Sequence, residues 1–150
     1  MNILRAGAVV SFVAMLAITP GCHIPAKFQE VSHEQAFSAY VGAQYTLKVP
    51  MHPSGVNLPP GYRKVIDLYS IHPTSPTWSG PELVTRDTLT PGTILIVESV
   101  HRCTNCIFEK ERLEAQVRIV NYTTAVDRPI KISLKHLTPE FTDRHAVNTR

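Results

Sequence analysis

The sequence lacks a strong excess of charge of either sign. It has 15 Lys and Arg residues against 12 Asp and Glu residues, and its formal net charge is +3 at pH 7. The charged residues are interspersed, so that no run of like sign occurs. Proteins that bind nucleic acids through charge carry a larger and more clustered positive excess. We therefore expect no nucleic-acid partner.

The sequence also lacks an apolar run long enough to cross a bilayer. The run Ala6–Ile18 has thirteen residues, which makes about 20 Å of helix, whereas a spanning helix needs roughly 20 residues. Arg5 precedes this run, and Thr19-Pro20-Gly21 separates it from Cys22. A basic start, a short apolar core and small residues before a cleavage site are typical of a secretory signal peptide.

The common catalytic motifs are absent as well. No Gly-x-Ser-x-Gly, no Gly-rich phosphate-binding loop and no His-Glu-x-x-His occurs in the chain. These motifs indicate a hydrolase nucleophile, a nucleotide site and a zinc protease, respectively. The seven histidines are spread singly. We therefore expect a protein that is not an enzyme and that uses no cofactor or resident metal.

The pair Gly21-Cys22 at the end of the signal resembles the cleavage site of bacterial lipoproteins. That resemblance implies that Cys22 becomes the first residue of the mature chain and is acylated, which anchors the protein to a membrane. In that class the residue after the cysteine sorts the protein, and His23 is not the Asp of inner-membrane retention. The resemblance thus implies an outer-membrane protein facing the periplasm. The alternative is ordinary cleavage that leaves Cys22 as a spare thiol.

The remaining chain has the length of one domain. Removal of residues 1–21 from the 150-residue chain leaves 129 residues, enough for a modest core. We expect a lipidated tether over residues 22–31, a single small β domain over residues 32–137 and a polar, frayed tail over residues 138–150.

One short helix is expected near the start of the domain. Ser32-His33-Glu34-Gln35 matches a capping box, in which Ser32 and Gln35 satisfy free backbone amides. The helix is predicted over about His33–Val41, with Gly42 as its stop. Ala36, Phe37 and Tyr40 would share one face.

The rest of the domain reads as strands and proline-rich loops. Apolar residues alternate with polar ones in several segments, as expected of half-buried strands. The predicted strands are Gln44–Val49, Tyr62–His72, a short edge strand Glu82–Thr85, Thr93–Val100, Leu113–Val120 and Ile130–Leu137. Pro50–Gly61 and Pro73–Pro81 are predicted loops, and Thr90–Thr93 a type II turn. The expected fold class is mainly β, a small antiparallel barrel or sandwich.

The segment Gly92–Val97 resembles the Gly-x-x-Leu-x-Val strand of bacterial SH3-like barrels. Among small β folds, that resemblance implies an SH3-like barrel preceded by the short helix.

Cys103 and Cys106 form a Cys-x-x-Cys pair. Outside the inner membrane a pair this close is expected to be a disulfide, which would fix the turn after the most apolar strand. A redox role is one alternative, although Thr104-Asn105 lies between the cysteines and no βαβ pattern surrounds them. A metal site is another, with His101 and His136 as further ligands. Heme attachment would need His at position 107, where the sequence has Ile.

Trp78 is the only tryptophan and lies in a predicted loop. It is a candidate partner-binding residue, and the alternative is that the loop covers the core. Together these features predict a non-catalytic envelope lipoprotein whose β domain binds an unknown envelope protein or peptidoglycan. A thiol–disulfide redox protein, and an inhibitor or immunity protein that plugs a lytic enzyme with one loop, are the alternatives.

Overall fold

The computed structural model describes residues 26–58, 65–74, 80, 82–106 and 111–145. These residues form nine strands, one turn of α-helix and one short 3-10 helix, which confirms a mainly β protein. The elements in chain order are β1 (Phe28–Glu30), α1 (Gln35–Ser38), β2 (Gln44–Leu47), β3 (His52–Val56), β4 (Leu68–His72), β5 (Leu83–Arg86), β6 (Ile94–Cys103), β7 (Leu113–Ile119), β8 (Ile130–Ser133), the 3-10 helix (Leu134–His136) and β9 (Thr142–His145).

All nine strands belong to one open sheet. Its order is β5-β3-β4-β8-β7-β6-β2-β9, and β1 pairs with β6 beside β2. The β4–β8 pair is parallel, whereas the other strand pairs are antiparallel. Within the described ranges β5 and β9 form the two edges, so the expected closed barrel is wrong, and the parallel pair makes the sheet mixed rather than antiparallel. Alternation indicates which face of a strand is buried, but it does not indicate which strands become neighbours.

The long strand β6 organises the sheet. One of its edges pairs with β7 along most of its length, with a bulge between Val97 and Ser99. Its other edge is shared, because β1 pairs near Cys103 and β2 pairs near Ile94. We call the Cys103 end of the sheet the disulfide end and the Ile94 end the distal end.

One face of the sheet carries the core. The predicted alternation is confirmed in β2, where Tyr45 and Leu47 are buried, and in β7, where Val117 and Ile119 are buried. Each fully buried large apolar side chain contributes about 1.5–3 kcal/mol to stability. The core cluster also includes further side chains from β4, β6, β7, β8 and the connecting segments: Val31, Ala43, Met51, Ile71, Leu89, Leu95, Val97, Val100, Ala115, Ile132 and Leu137.

The predicted helix is reduced to one turn, and its capping box is wrong. The Ser32 hydroxyl accepts a hydrogen bond from the Val100 amide, 2.9 Å away, and therefore caps nothing. Glu34 is the N-cap residue but makes no side-chain cap. Phe37 and Tyr40 pack against the core, whereas Ala36, predicted to share their face, is exposed. In the described part of the chain, no helix is long and apolar enough to cross a membrane.

The predicted loop Pro50–Gly61 contains a strand instead. Pro53 in β3 lies opposite Ile71 of β4, and on the other side its carbonyl accepts a hydrogen bond from the Asp87 amide. Pro53 has no backbone N–H to donate, and this missing donor lies at the point where the pairing of β3 with β5 ends. Gly55 permits a close approach, because a Cβ there would lie 2.9 Å from the Ile66 side chain.

The two ends of the domain also differ from expectation. Phe28–Glu30, expected in the tether, pairs with β6. Thr142–His145, expected in a frayed tail, pairs with β2. Both segments are polar or short. They form strands because they pair with residues far away in the chain, not because of a local preference. The remaining strands are close to prediction, although β4 begins only at Leu68 and β8 ends at Ser133. Gly92 has φ of 90°, as the predicted type II turn requires.

Candidate functional site

The face of the sheet opposite the core carries a connected set of polar side chains. They come from the four adjacent strands β4, β8, β7 and β6, and cross-strand pairing places them side by side. We call this set the polar face. Its members are Ser70, His72, Ser99, His101, Glu114, Gln116, Lys131 and Ser133. Nearly all are half-buried, and Glu114 is buried with 8% of its surface exposed.

Two Ser–His pairs lie at the sides of the polar face. On β4, the Ser70 Oγ lies 2.9 Å from the His72 Nε2. On β6, the Ser99 Oγ lies 2.8 Å from the His101 Nε2. In both pairs the residues are two apart on one strand, which places their side chains on the same face. Each imidazole is thereby held in one orientation.

Glu114 lies between the two pairs and is neutralised by two cations. Its Oε1 accepts hydrogen bonds from Arg112, at 3.0 Å from Nε and 2.6 Å from Nη2. The Lys131 Nζ lies 3.7 Å from the other carboxylate oxygen, Oε2. A buried carboxylate requires such partners, because the loss of hydration otherwise costs several kcal/mol. The centre of the polar face is therefore an ion-paired group.

Phe28 from β1 completes this group. The Lys131 Nζ lies 4.8 Å from the centroid of its ring, and the Arg112 Cζ lies 5.5 Å from it. Cation–π contacts of this length are attractive. The Phe28 ring therefore contacts the same two cations that neutralise Glu114.

Three histidines near this face have a lowered pKa. Burial is the main cause of the lowered pKa of His72, His101 and His136, because it disfavours the charged imidazolium. Neighbouring cations lower these pKa values further, Arg112 and Lys135 at His72 and Lys131 at His101. All three imidazoles are therefore predominantly neutral at pH 7.

A cavity of about 210 Å³ opens beside the ion-paired group, toward the disulfide end. Its lining offers both donors and acceptors to a ligand. It is lined by Ser70, His72, Arg112, Glu114, Lys131, Ile132, Ser133, Lys135 and His136. Such a lining suits a group that makes several hydrogen bonds, such as a carboxylate, an amide or a sugar hydroxyl.

The arrangement differs from a nucleophilic triad. A triad needs a carboxylate bonded to the imidazole that activates the serine. Among the described residues the Glu114 carboxylate instead accepts hydrogen bonds from Arg112, and neither His72 nor His101 donates a hydrogen bond to it. The geometry can bind and orient a polar group, but it does not assemble this catalytic unit.

Cys103 and Cys106 form the expected disulfide. Cys103 ends strand β6 and does not lie at a helix N-terminus, where redox thiols are activated. The turn between the cysteines is held by Lys27, whose carbonyl accepts from the Thr104 amide at 2.8 Å and whose amide donates to the Asn105 side chain at 2.6 Å. The disulfide therefore lies in a turn that one backbone hydrogen bond and one hydrogen bond to the Asn105 side chain already fix to the start of β1.

The predicted metal ligands do not come together. Both cysteines are bonded to each other, and no group of three or more metal-ligating side chains occurs in the part of the chain that the structure describes. Cys22 and Trp78 lie outside the described residues.

Sequence reasoning missed the residues at the centre of the polar face. Glu114 and Lys131 looked like ordinary solvent-facing positions of alternating strands, and Phe28 lay in the expected tether. The strand Leu113–Ile119 gave no distinct signal, because Glu114 occupies a polar position of the alternating pattern just as Gln116 and Arg118 do, and such residues are usually solvated. Comparisons of the chain with protein-family models, with curated proteins and with solved structures found no match.

Proposed function

We propose that this protein is a non-catalytic, lipid-anchored envelope protein whose β domain binds a protein or cell-wall partner through the polar face. The observation that supports this proposal best is the ion-paired group of Phe28, Arg112, Glu114 and Lys131 beside an open polar cavity. A surface whose side chains are already ordered loses little conformational entropy on binding. The partner would carry hydrogen-bonding groups such as carboxylates, amides or hydroxyls, which occur in both proteins and peptidoglycan.

The anchor is the second part of the proposal. Residues 1–21 would be removed as a signal peptide, and Cys22 would carry the lipid at the outer membrane, facing the periplasm. The disulfide Cys103–Cys106 supports an oxidising compartment, because disulfides persist there and are rare in the cytosol. The near balance of charge, +3 in the whole chain, supports a partner other than nucleic acid.

Two further elements of the proposal concern the loops and the fold type. Trp78 would add an aromatic contact to the partner, and its replacement by Ala should weaken binding without a loss of stability. The SH3-like fold type that the resemblance of Gly92–Val97 implies stays a prediction.

The test uses photo-cross-linking in cells. A diazirine-bearing amino acid replaces Gln116 on the polar face or, as the control, Thr123 in the exposed loop after β7. We expect a discrete adduct with one protein or with peptidoglycan fragments from position 116 and none of comparable yield from position 123. Equal yields from both positions, or no adduct from position 116, would contradict the proposal. An intact mass that begins at Cys22 and includes acyl chains is the expected result for the anchor.

A further inference from the structure

The first described residues fix where the chain enters the domain. Lys27 is bound on both its amide and its carbonyl to the disulfide turn, through Asn105 and Thr104. The next residue, Phe28, lies opposite Cys103 in the sheet. The chain therefore enters the domain at the disulfide end.

The distance between this point and Cys22 is limited by covalent geometry. Five residue steps separate Cys22 from Lys27, and an extended chain spans at most about 17 Å over that length. The polar headgroup layer of one leaflet takes up about 5–8 Å of it. An acylated Cys22 would thus hold the disulfide turn within about 10 Å of the headgroup surface. The tether is half as long as the sequence pattern of residues 22–31 suggested.

The direction of β6 then orients the domain. This strand has ten residues from Ile94 to Cys103, and its nine residue steps span about 30 Å at the rise of an extended strand. Its Cys103 end lies beside Lys27, so its Ile94 end and the turn Thr90–Thr93 lie far from the chain's entry. The loop after β7, which contains Thr123, lies at the same distal end, because Ile119 pairs with Leu95.

The charges at the disulfide end suit a phospholipid surface. Lys27 and Lys135 are exposed there, together with the acidic Glu111 and with Arg112, which is ion-paired with Glu114. Arg112, Lys135 and Glu111 line one further cavity of about 360 Å³ at this end. Cationic side chains near a membrane surface are attracted to phosphate-bearing headgroups.

We propose that the disulfide end of the domain meets the phospholipid headgroups, with β6 directed away from the membrane and the distal end presented to the periplasm. This inference rests on the proposed acylation of Cys22. It also places the cavity of the polar face near the membrane surface, where a partner would have to reach it from the side.

The test measures the depth of two probes on the acylated protein. An azide-bearing phenylalanine replaces Glu111 at the disulfide end or Thr123 at the distal end, both exposed, and is coupled to a fluorophore without the use of thiols. The full-length acylated protein is placed in vesicles of phosphatidylethanolamine and phosphatidylglycerol that carry a nitroxide on the headgroup. We expect strong quenching of the probe at position 111 and little at position 123.

Equal quenching at the two positions, or stronger quenching at position 123, would overturn the inference. The intact mass of the same sample separates this outcome from a failure of the anchor. A sample without acyl mass overturns both the anchor and the orientation, whereas an acylated sample with the wrong quenching pattern overturns the orientation alone.

Discussion

The ammonium group of Lys131 lies over the ring of Phe28, with its Nζ 4.8 Å from the ring centroid, although the two residues are far apart in the chain. Phe28 belongs to the three-residue strand β1, and Lys131 belongs to β8, with β6 and β7 between them in the sheet. The contact therefore reaches across two strands. It connects the first segment of the domain to the charged centre of the polar face.

Replacement of Phe28 should separate apolar packing from cation–π attraction. We expect Phe28→Ala to lower the free energy of unfolding by about 2–3 kcal/mol, since it removes a half-buried ring, which contributes about 1 kcal/mol, and two cation–π contacts of about 0.5–1 kcal/mol each. Phe28→Leu should cost less, and Phe28→Tyr should cost least because it keeps the ring. Urea unfolding measures all three. A Leu variant as stable as the Tyr variant would show that the cations contribute nothing.

Removal of the charge on Glu114 should destabilise the domain. Glu114→Gln leaves Arg112 and Lys131 without their buried carboxylate, and because the Arg112 side chain is 44% exposed to screening solvent we expect a loss of about 1–3 kcal/mol. The matched control is Glu98→Gln, which breaks the exposed pair with Arg118 and should cost less than about 0.5 kcal/mol. Similar losses from both variants in urea unfolding would contradict a special role for Glu114.

The domain should lose stability on mild acidification. The pKa values of His72, His101 and His136 are lowered in the folded protein, mainly by burial, whereas in the unfolded chain they return to about 6.5. The unfolded state therefore binds more protons as the pH falls through 6.5, and the free energy of unfolding decreases.

Urea unfolding between pH 7.5 and 5.5 measures this loss. The pKa values of Glu34 and Asp87 are also lowered, through hydrogen bonds from Arg102 and Tyr122, but these carboxylates contribute only at a pH below this range. His72→Asn should make the dependence on pH shallower. A wild-type protein that is equally stable or more stable at pH 5.5 would refute the assignment of these histidines.

Loss of the disulfide should lower stability without unfolding the domain. The double variant Cys103→Ala, Cys106→Ala opens a short loop, for which the chain-entropy estimate gives about 2 kcal/mol. The hydrogen bonds between Lys27 and the turn can still form, but the turn that holds β1 is no longer cross-linked. We therefore expect hydrogen exchange to accelerate most in β1. Hydrogen exchange of the β1 amides measures it, and addition of a reductant should affect the wild type but not the variant. Unchanged hydrogen exchange of the β1 amides would contradict a coupling between the disulfide and β1.

The sequence pattern predicted the strands in which apolar and polar residues alternate. In β2 and β7 the apolar positions, such as Tyr45 and Val117, face the core because a half-buried strand requires that period. The close cysteine pair was likewise predictable, since three residues of separation suffice for a disulfide. These are local signals, and they held where tertiary contacts agreed with them.

The other elements depend on partners far along the chain. β3 contains Pro53 and Gly55, both poor strand formers, and it exists because β4 and β5 flank it. Ser32 resembles a helix cap, but the Val100 amide competes successfully for its hydroxyl. Glu114 at the candidate site looked solvated, and its burial depends on two cations, Arg112 just before β7 and Lys131 of β8. No local pattern could reveal these partnerships.

The pairing of β2 with β9 has a consequence for the timing of folding. The Thr46 hydroxyl and the His145 Nε2 lie 2.8 Å apart although 99 residues separate them in the chain. The ribosome must therefore make residue 145 before the outer part of the sheet can close. Sheets built from such distant pairings also form slowly. Each newly made chain thus has an interval without its native structure, and the proposed export would take place during that interval.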